Sequence, residues 1–308
     1  MNILVIGGSG HVSGAVVRAA LSKRYQVWTI TRGLRPSVPG VHSLIADRHD
    51  RKAMQEVVER QNMVWDLVVD CICYELDDML QDIELFRDRA RQFVFVSTDF
   101  VYDPAWRRFP QPEETEHYDV SAVEGSLSYG AKKRLCELEL INGDAGGMAW
   151  TILRPCHIYG MPSLPGCLPL HGRDPGLIKK LREGVPLKLV GGGHFLQQPV
   201  YVDDLAAAIV SVGGNKAACG KIFNMAGPDI IESRQYYRII ADILKVNLTI
   251  EEIPEASYLA EKPEGRPFMC HRIYDLSRLR AAGLAVPSTS IEDGLRLHVE
   301  GLLRQQNQ

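Results

Sequence analysis

The chain has 308 residues, long enough to bury a large core in one big domain or two. Its hydrophobic content of 45% and charged content of 24% are ordinary for a soluble globular protein, and a formal net charge of −3 offers no footprint for nucleic acid or an anionic membrane. No apolar run approaches the ~20 residues of a membrane span. Seven scattered cysteines include no C-x-x-C pair, and nine histidines show no H-E-x-x-H spacing. That argues against a metal site and for reduced thiols in a cytoplasmic protein.

In chain order, the apolar run of residues 3–6 breaks abruptly into glycines, and an amphipathic stretch with Ala15, Val16, Ala19 and Ala20 at helical spacing follows. Residues 1–6 read as a strand entering a turn rather than as a secretory leader. Strand, glycine turn and helix in that order predict a dinucleotide-binding opening. Gly7 would supply the sharp turn, and Gly10 would let backbone approach a pyrophosphate. Ser9, His11 and Val12 complete the loop, at a helix N-terminus suited to an anion. The third glycine of the pattern falls on Ser13, with Gly14 one residue late.

Further strands are expected over residues 26–31, 67–70, 93–97 and 150–153, with helices between, including 52–60 and 78–87. This alternation predicts an α/β fold with a doubly wound parallel sheet covered on both faces. From about Met161 the texture changes: 161–173 is rich in Pro, Gly and Leu, a loop signature. A strand at 187–190, the Gly191–Gly193 turn, a helix at 203–212 and another near 233–244 are expected beyond it. The chain reads as a Rossmann domain of residues 1–160 and about 199–226, with a smaller, partly interleaved α/β substrate lobe of about 161–198 and 227–308, and a ligand cleft between them.

Three places carry candidate chemistry. The second strand ends Thr31-Arg32-Gly33, without the acid that holds an NAD ribose. Arg32, with Arg35 close behind, predicts a preference for NADP(H), although NAD remains possible and a solvated arginine is the plain alternative. Asp47 and Arg48 follow the third strand and are both expected at the cofactor; Asp47 either accepts from the adenine amino group or caps a helix. Further on, Tyr129 and Lys133 stand four apart in a helical segment and share one face. A lysine beside a phenol would lower its pKa and let Tyr129 move a proton at a carbinol or carbonyl oxygen during hydride transfer. Lys132, three away, would face to the side. Thr98, at a strand end facing the same crevice, would give its hydroxyl to that oxygen, unless it is a simple strand-end hydroxyl.

Together these features resemble the extended short-chain dehydrogenase/reductase superfamily, in its NAD-dependent epimerase/dehydratase branch, over nearly the whole chain. The resemblance includes Leu153-Arg154-Pro155 with Ile158-Tyr159-Gly160, Val202-Asp203-Asp204-Leu205, Phe223-Asn224-Met225-Ala226-Gly227 and Asp275-Leu276-Ser277-Arg278. It implies that Thr98, Tyr129 and Lys133 form a catalytic triad, that Lys133 also binds the nicotinamide ribose, that Pro155 lies at the cofactor, and that the protein is a homodimer. Asp99, after the triad hydroxyl, would be an extra acid or base or a local capping carboxylate. His157 replaces the usual asparagine, and the neutral Gln197 and Gln198 stand where nucleotide-sugar members carry an arginine. A nucleoside diphosphate needs charge-assisted donors; Arg266, Arg272 and Arg173 either supply them or are plain surface arginines.

The expected activity is that of an epimerase or dehydratase, oxidising a secondary alcohol of a sugar-derived small molecule to a transient ketone. The alternatives are an NADPH-dependent ketone reductase and a nicotinamide-binding sensor without turnover.

Overall fold

A computed structural model describes residues 1–306 other than Glu124 and His171. Seven strands form one sheet: β1 (Asn2–Ile6), β2 (Gln26–Thr31), β3 (Val41–Ile45), β4 (Leu67–Asp70), β5 (Gln92–Val96), β6 (Ala149–Pro155) and β7 (Lys221–Met225), in the order β7-β6-β5-β4-β1-β2-β3. Every neighbouring pair is parallel. The order reverses between β1 and β4, so a crevice opens where their carboxyl ends part.

β1 shows why both faces must be covered. Ile3 and Val5 enter one apolar layer with the helices α1 (His11–Ser22) and α6 (Val202–Ser211), while Leu4 and Ile6 enter the opposite one. That second layer is built with α2 (Arg51–Glu59), α3 (Leu76–Phe86) and α4 (Tyr129–Asn142). Successive side chains of a strand point to opposite faces, so a run of four buried apolar residues needs two layers of helices. A third apolar cluster gathers Leu177 and Leu181 from α5 (Leu177–Arg182), Leu187 and Leu189, the buried face of α7 (Ser233–Leu244), and Ile291, Leu295 and Val299 from α10 (Ile291–Gln306). The expected helices near 203–212 and 233–244 are present within a residue, and Leu187–Val190 is a strand paired with Ile250–Ile253. Two further short helices, α8 (Glu255–Glu261) and α9 (Ser277–Ala281), lie in the C-terminal third.

Candidate active site

The crevice divides into two connected hollows. The one over β1, β2 and β3 has about 470 Å³ and is lined by Gly7, Ser9, Gly10, Arg32, Arg35 and Asp47 among others. Gly7 and Gly8 have φ of +107° and +134°, where side-chain-bearing residues are strained, and a Cβ on Gly8 would stand 2.7 Å from Thr29. The loop therefore runs flush against β2. The Gly10 amide donates to the Ser13 hydroxyl at 3.0 Å, and Ser13 is buried at the position expected to pack closely. α1 then begins at His11 with no acidic residue in its first turn, so nothing opposes an anion there. This cradle fits a dinucleotide pyrophosphate.

At the adenosine end, Arg32 and Arg35 are exposed, and Arg35 donates to the Ser9 carbonyl at 3.0 Å. Asp47 accepts from the His49 amide at 3.0 Å, while the cap of α2 is Asp50, so the capping alternative falls on a different residue. Arg48, expected at the cofactor, does line this hollow, but its charge is spent elsewhere. Its side chain turns inward and is buried, pairing with Asp70, with Asp78 at 3.1 Å and with Asp82 at 2.8 Å. Burial raises Asp70, but Arg48 more than offsets it and holds the group below its usual range; burial and the Asp70 charge push Asp82 up. Asp70, Cys73 and Asp82 bring ligand-type atoms within 4.8 Å of one another, yet the Arg48 guanidinium already supplies the positive charge in that cluster.

The second hollow, about 770 Å³, lies over β1, β4, β5 and β6 and reaches into the C-terminal third. His11, Val12, Thr98, Tyr129, Lys133 and Pro155 all line it. β5 delivers Thr98 at its carboxyl end, where the hydroxyl caps a short turn through the Phe100 amide at 3.3 Å. Ser128 caps α4 through the Ala131 amide and donates to Asp119 at 2.5 Å, which places Tyr129 in the first turn, facing the hollow. At Gly130 a Cβ would stand 2.0 Å from the Phe100 carbonyl oxygen, so α4 touches the Thr98 turn through backbone. Farther along α4, Glu137 is fully buried and accepts from Arg154 of β6 at 2.7 and 2.8 Å and from Ser97 at 2.7 Å. That pairing joins the tyrosine helix to the two strands beneath it.

The tyrosine–lysine relation differs from the expected one. Lys133 is buried and donates to the carbonyls of Cys73 and Val96 at 2.8 and 2.7 Å, with its amine 4.2 Å from the Phe95 ring centre. Burial lowers its pKa. The phenol of Tyr129 is not lowered but pushed up to about 12, first by burial of the hydroxyl, then by Tyr74 and Asp99; the facing Thr98 hydroxyl and Arg173 pull the other way. Tyr129 lines the hollow, and about half of the residue's surface is exposed. Lys132 turns aside to Glu75 at 2.8 Å, as its spacing predicted.

The residues expected at the substrate separate. His157 lines the hollow and is neutral at physiological pH, its pKa lowered to about 4 first by burial. Asp99 also lines it, but as neither a free acid nor a capping group. Its carboxylate accepts from Arg272 and Tyr274 and lies 3.4 Å from Arg107, so Arg272 and Arg107 hold it ionised although burial alone would raise it. Gln197 is fully buried away from the hollow's lining, with both amide atoms unpaired, and Arg266 is exposed outside that lining. Gln198 is committed to Gly227 and Tyr274, each at 2.8 Å. Arg173, Tyr258 and Phe268 reach the hollow instead. The two aromatics come from a stretch with no sequence signal.

A parallel sheet of this strand order, with a glycine cradle at its reversal and a threonine, tyrosine and lysine around the adjoining hollow, defines a nicotinamide-dependent enzyme of the extended short-chain dehydrogenase/reductase type. The chain belongs to the NAD dependent epimerase/dehydratase family, whose sequence profile matches residues 3–226. It is similar to the 2'-dehydrokanamycin reductase of Streptomyces kanamyceticus, with 25% identity over 288 residues, covering 91% of this chain and 78% of that protein. Among solved structures it resembles a UDP-glucose 4-epimerase of Thermotoga maritima determined with UDP-glucose (TM-score 0.78, 20% identity, 99% of this chain and 100% of the other). It also resembles a dTDP-glucose 4,6-dehydratase of Bacillus anthracis in complex with NAD (TM-score 0.74, 17% identity, 100% and 98%).

Proposed function

We propose that the protein interconverts a ketone and a secondary alcohol on a sugar-derived small molecule, working as an NADPH-dependent reductase with Tyr129 as the proton donor. When bound, the nicotinamide supplies or accepts the hydride. Gly7, Ser9, Gly10, His11 and Val12 would cradle the pyrophosphate, and Pro155 and Lys133 the nicotinamide end. Arg32 and Arg35 would receive a 2′-phosphate, where an acid selecting NAD is lacking. Thr98 and Tyr129 would hold the substrate oxygen between them.

The observation that carries this reading is that Tyr129 faces Thr98 at the hollow, while the carboxylate that lines it among the described residues, Asp99, is tied to two arginines. One proton carrier suffices for reduction. Eliminating water needs a second acid or base, and Asp99, held ionised by those arginines, is ill placed to serve as one, which counts against a dehydratase. A phenol that stays protonated at neutral pH is also an acid ready to protonate a developing alkoxide. An epimerase is the second reading, supported by the family and by the epimerase fold likeness.

The charge around the substrate end supports a substrate without a nucleoside diphosphate. Of the cationic side chains there, Lys133 is spent on two carbonyls and Arg173 alone lacks a partner among the described residues. We assign the ligand hollow to the interface of the Rossmann domain and the C-terminal substrate lobe. The test is a panel of keto-sugars and cyclic ketones with NADPH and, separately, NADH. Turnover by the wild type but not by Tyr129→Phe supports the assignment. Turnover that survives Tyr129→Phe refutes it.

A further inference from the structure

Residues 255–268 form a wall of the hollow and present Tyr258 and Phe268 to it. This wall has almost no core of its own. α8 has no buried residue, and in the turn Pro263–Phe268 only Gly265 is buried. Gly265 packs flush on Tyr258, where a Cβ would stand 2.5 Å from the ring, so the helix and the turn form one unit. Apolar burial, the usual source of attachment, is too scant to fix that unit to the body.

What reaches it is Arg272, fully buried just beyond the wall. Its backbone is held by the Leu196 carbonyl at 2.8 Å. One arm of its guanidinium donates to the Pro267 carbonyl at 3.0 Å and the other to Asp99, while the plane lies 4.3 Å from the Phe100 ring. Phe268 packs edge-on against Phe100 at 5.6 Å between ring centres, and Phe100 against Tyr129 at 6.2 Å. Asp99 is the residue after Thr98 and is clasped from its far side by Arg107, which donates to the Asp99 carbonyl and the Tyr274 hydroxyl, both at 2.8 Å.

We propose that Asp99 and Arg272 are positioning residues that fix the wall carrying Tyr258 and Phe268 at a set distance from Thr98 and Tyr129, and thereby set which substrates fit. The planar fork of an arginine grips two acceptors at once, which a lysine amine on a flexible stem does not do in the same geometry. The clasp has a second consequence. The groups facing the Tyr129 phenol are Tyr74 from the β4–α3 loop, Thr98 and Asp99 from the β5 turn, and Arg173 from the loop before α5; Lys133, on its own helix, points to the Cys73 and Val96 carbonyls. Removing the Asp99 charge leaves Arg272 and Arg107 unbalanced and favours the phenolate.

The proposal rests on the hollow being the substrate site, and hydrogen exchange tests it without any substrate. In Arg272→Lys, amides of 255–268 should exchange about tenfold faster, with the amides of β1 to β5 unchanged and NADPH affinity within about twofold. In Asp99→Asn the same segment should loosen, and the Tyr129 phenolate absorbance, read against a Tyr129→Phe background, should titrate about one pH unit lower. Arg272→Lys keeps the buried charge and decides the matter if Asp99→Asn does not fold. Unchanged exchange in the wall overturns the proposal, and so does acceleration spread evenly over the sheet with a matching fall in melting temperature. Tyr129→Phe should leave the wall's exchange as it is, so a failure of the catalytic assignment and a failure of the clasp give different results.

Discussion

Two buried ionic clusters flank the crevice, and they are opposites. At the adenosine end one arginine, Arg48, sits among Asp70, Asp78 and Asp82; at the substrate end one carboxylate, Asp99, sits among Arg272 and Arg107. The first has surplus negative charge, and burial with the neighbouring Asp70 pushes Asp82 up while Arg48 holds Asp70 low. The second has surplus positive charge, which arginine cannot relieve by losing a proton. The first joins segments within the sheet half of the chain. The second joins residues 173 apart in sequence and carries the substrate wall. Charge pairing at one end secures the floor of the cofactor site, and at the other it sets the shape of the substrate site.

The largest expected effect comes from breaking the chemistry between the clusters. Tyr129→Phe should lower turnover by about 10²- to 10⁴-fold while NADPH binding, followed by nicotinamide fluorescence, stays within a few-fold. Next is the first cluster itself. Arg48→Met should destabilise the fold by about 3–5 kcal/mol in denaturant titration, because it leaves buried carboxylates uncompensated. The wild type gains stability from Asp70 above its unfolded pKa and loses it as pH falls through the depressed folded value. The variant, lacking the arginine, should therefore lose less on acidification.

Gly130→Ala should cost about 1–3 kcal/mol, because its Cβ meets the Phe100 carbonyl, and should weaken turnover more than cofactor binding. A smaller effect is expected at Arg32: Arg32→Ala should cut the preference for NADPH over NADH about tenfold, measured as a ratio of dissociation constants. The smallest is in the pH profile of reduction. With the phenol near 12 and His11 and His157 near 4, the rate should show no histidine inflection near neutrality and hold steady until the phenol ionises in strong alkali. A tyrosine depressed to neutral pH would instead lose about tenfold per unit above it.

The sheet was legible because buried parallel strands are continuous apolar runs and because glycine turns are local. Gly7, Ser13, Tyr129 and Lys133 declare themselves by spacing along one strand, turn or helix. Asp99, Arg48 and Gln197 did not, since whether a charged or amide side chain faces a ligand or a buried partner depends on residues far away in the chain. Arg272 read only as one of three arginines, with Arg173 and Arg266, that could stand in for a missing diphosphate ligand, and nothing nearby in sequence shows its pairing with Asp99, 173 residues away. The wall of 255–268 was missed because its residues bury almost nothing and so leave no periodic pattern. The direction of the tyrosine shift was missed for a related reason: the lysine four residues on shares the helix face but spends its amine on two carbonyls.

The most direct measurement of the central claim is the nucleotide carried by freshly purified, unsupplemented protein, released by denaturation and identified and counted by mass spectrometry. A reductase that consumes NADPH and releases the oxidised cofactor predicts a nearly empty site that refills reversibly with NADPH. Near-stoichiometric oxidised NAD⁺ or NADP⁺ would contradict it and mark an enzyme that keeps and regenerates its cofactor within each turnover.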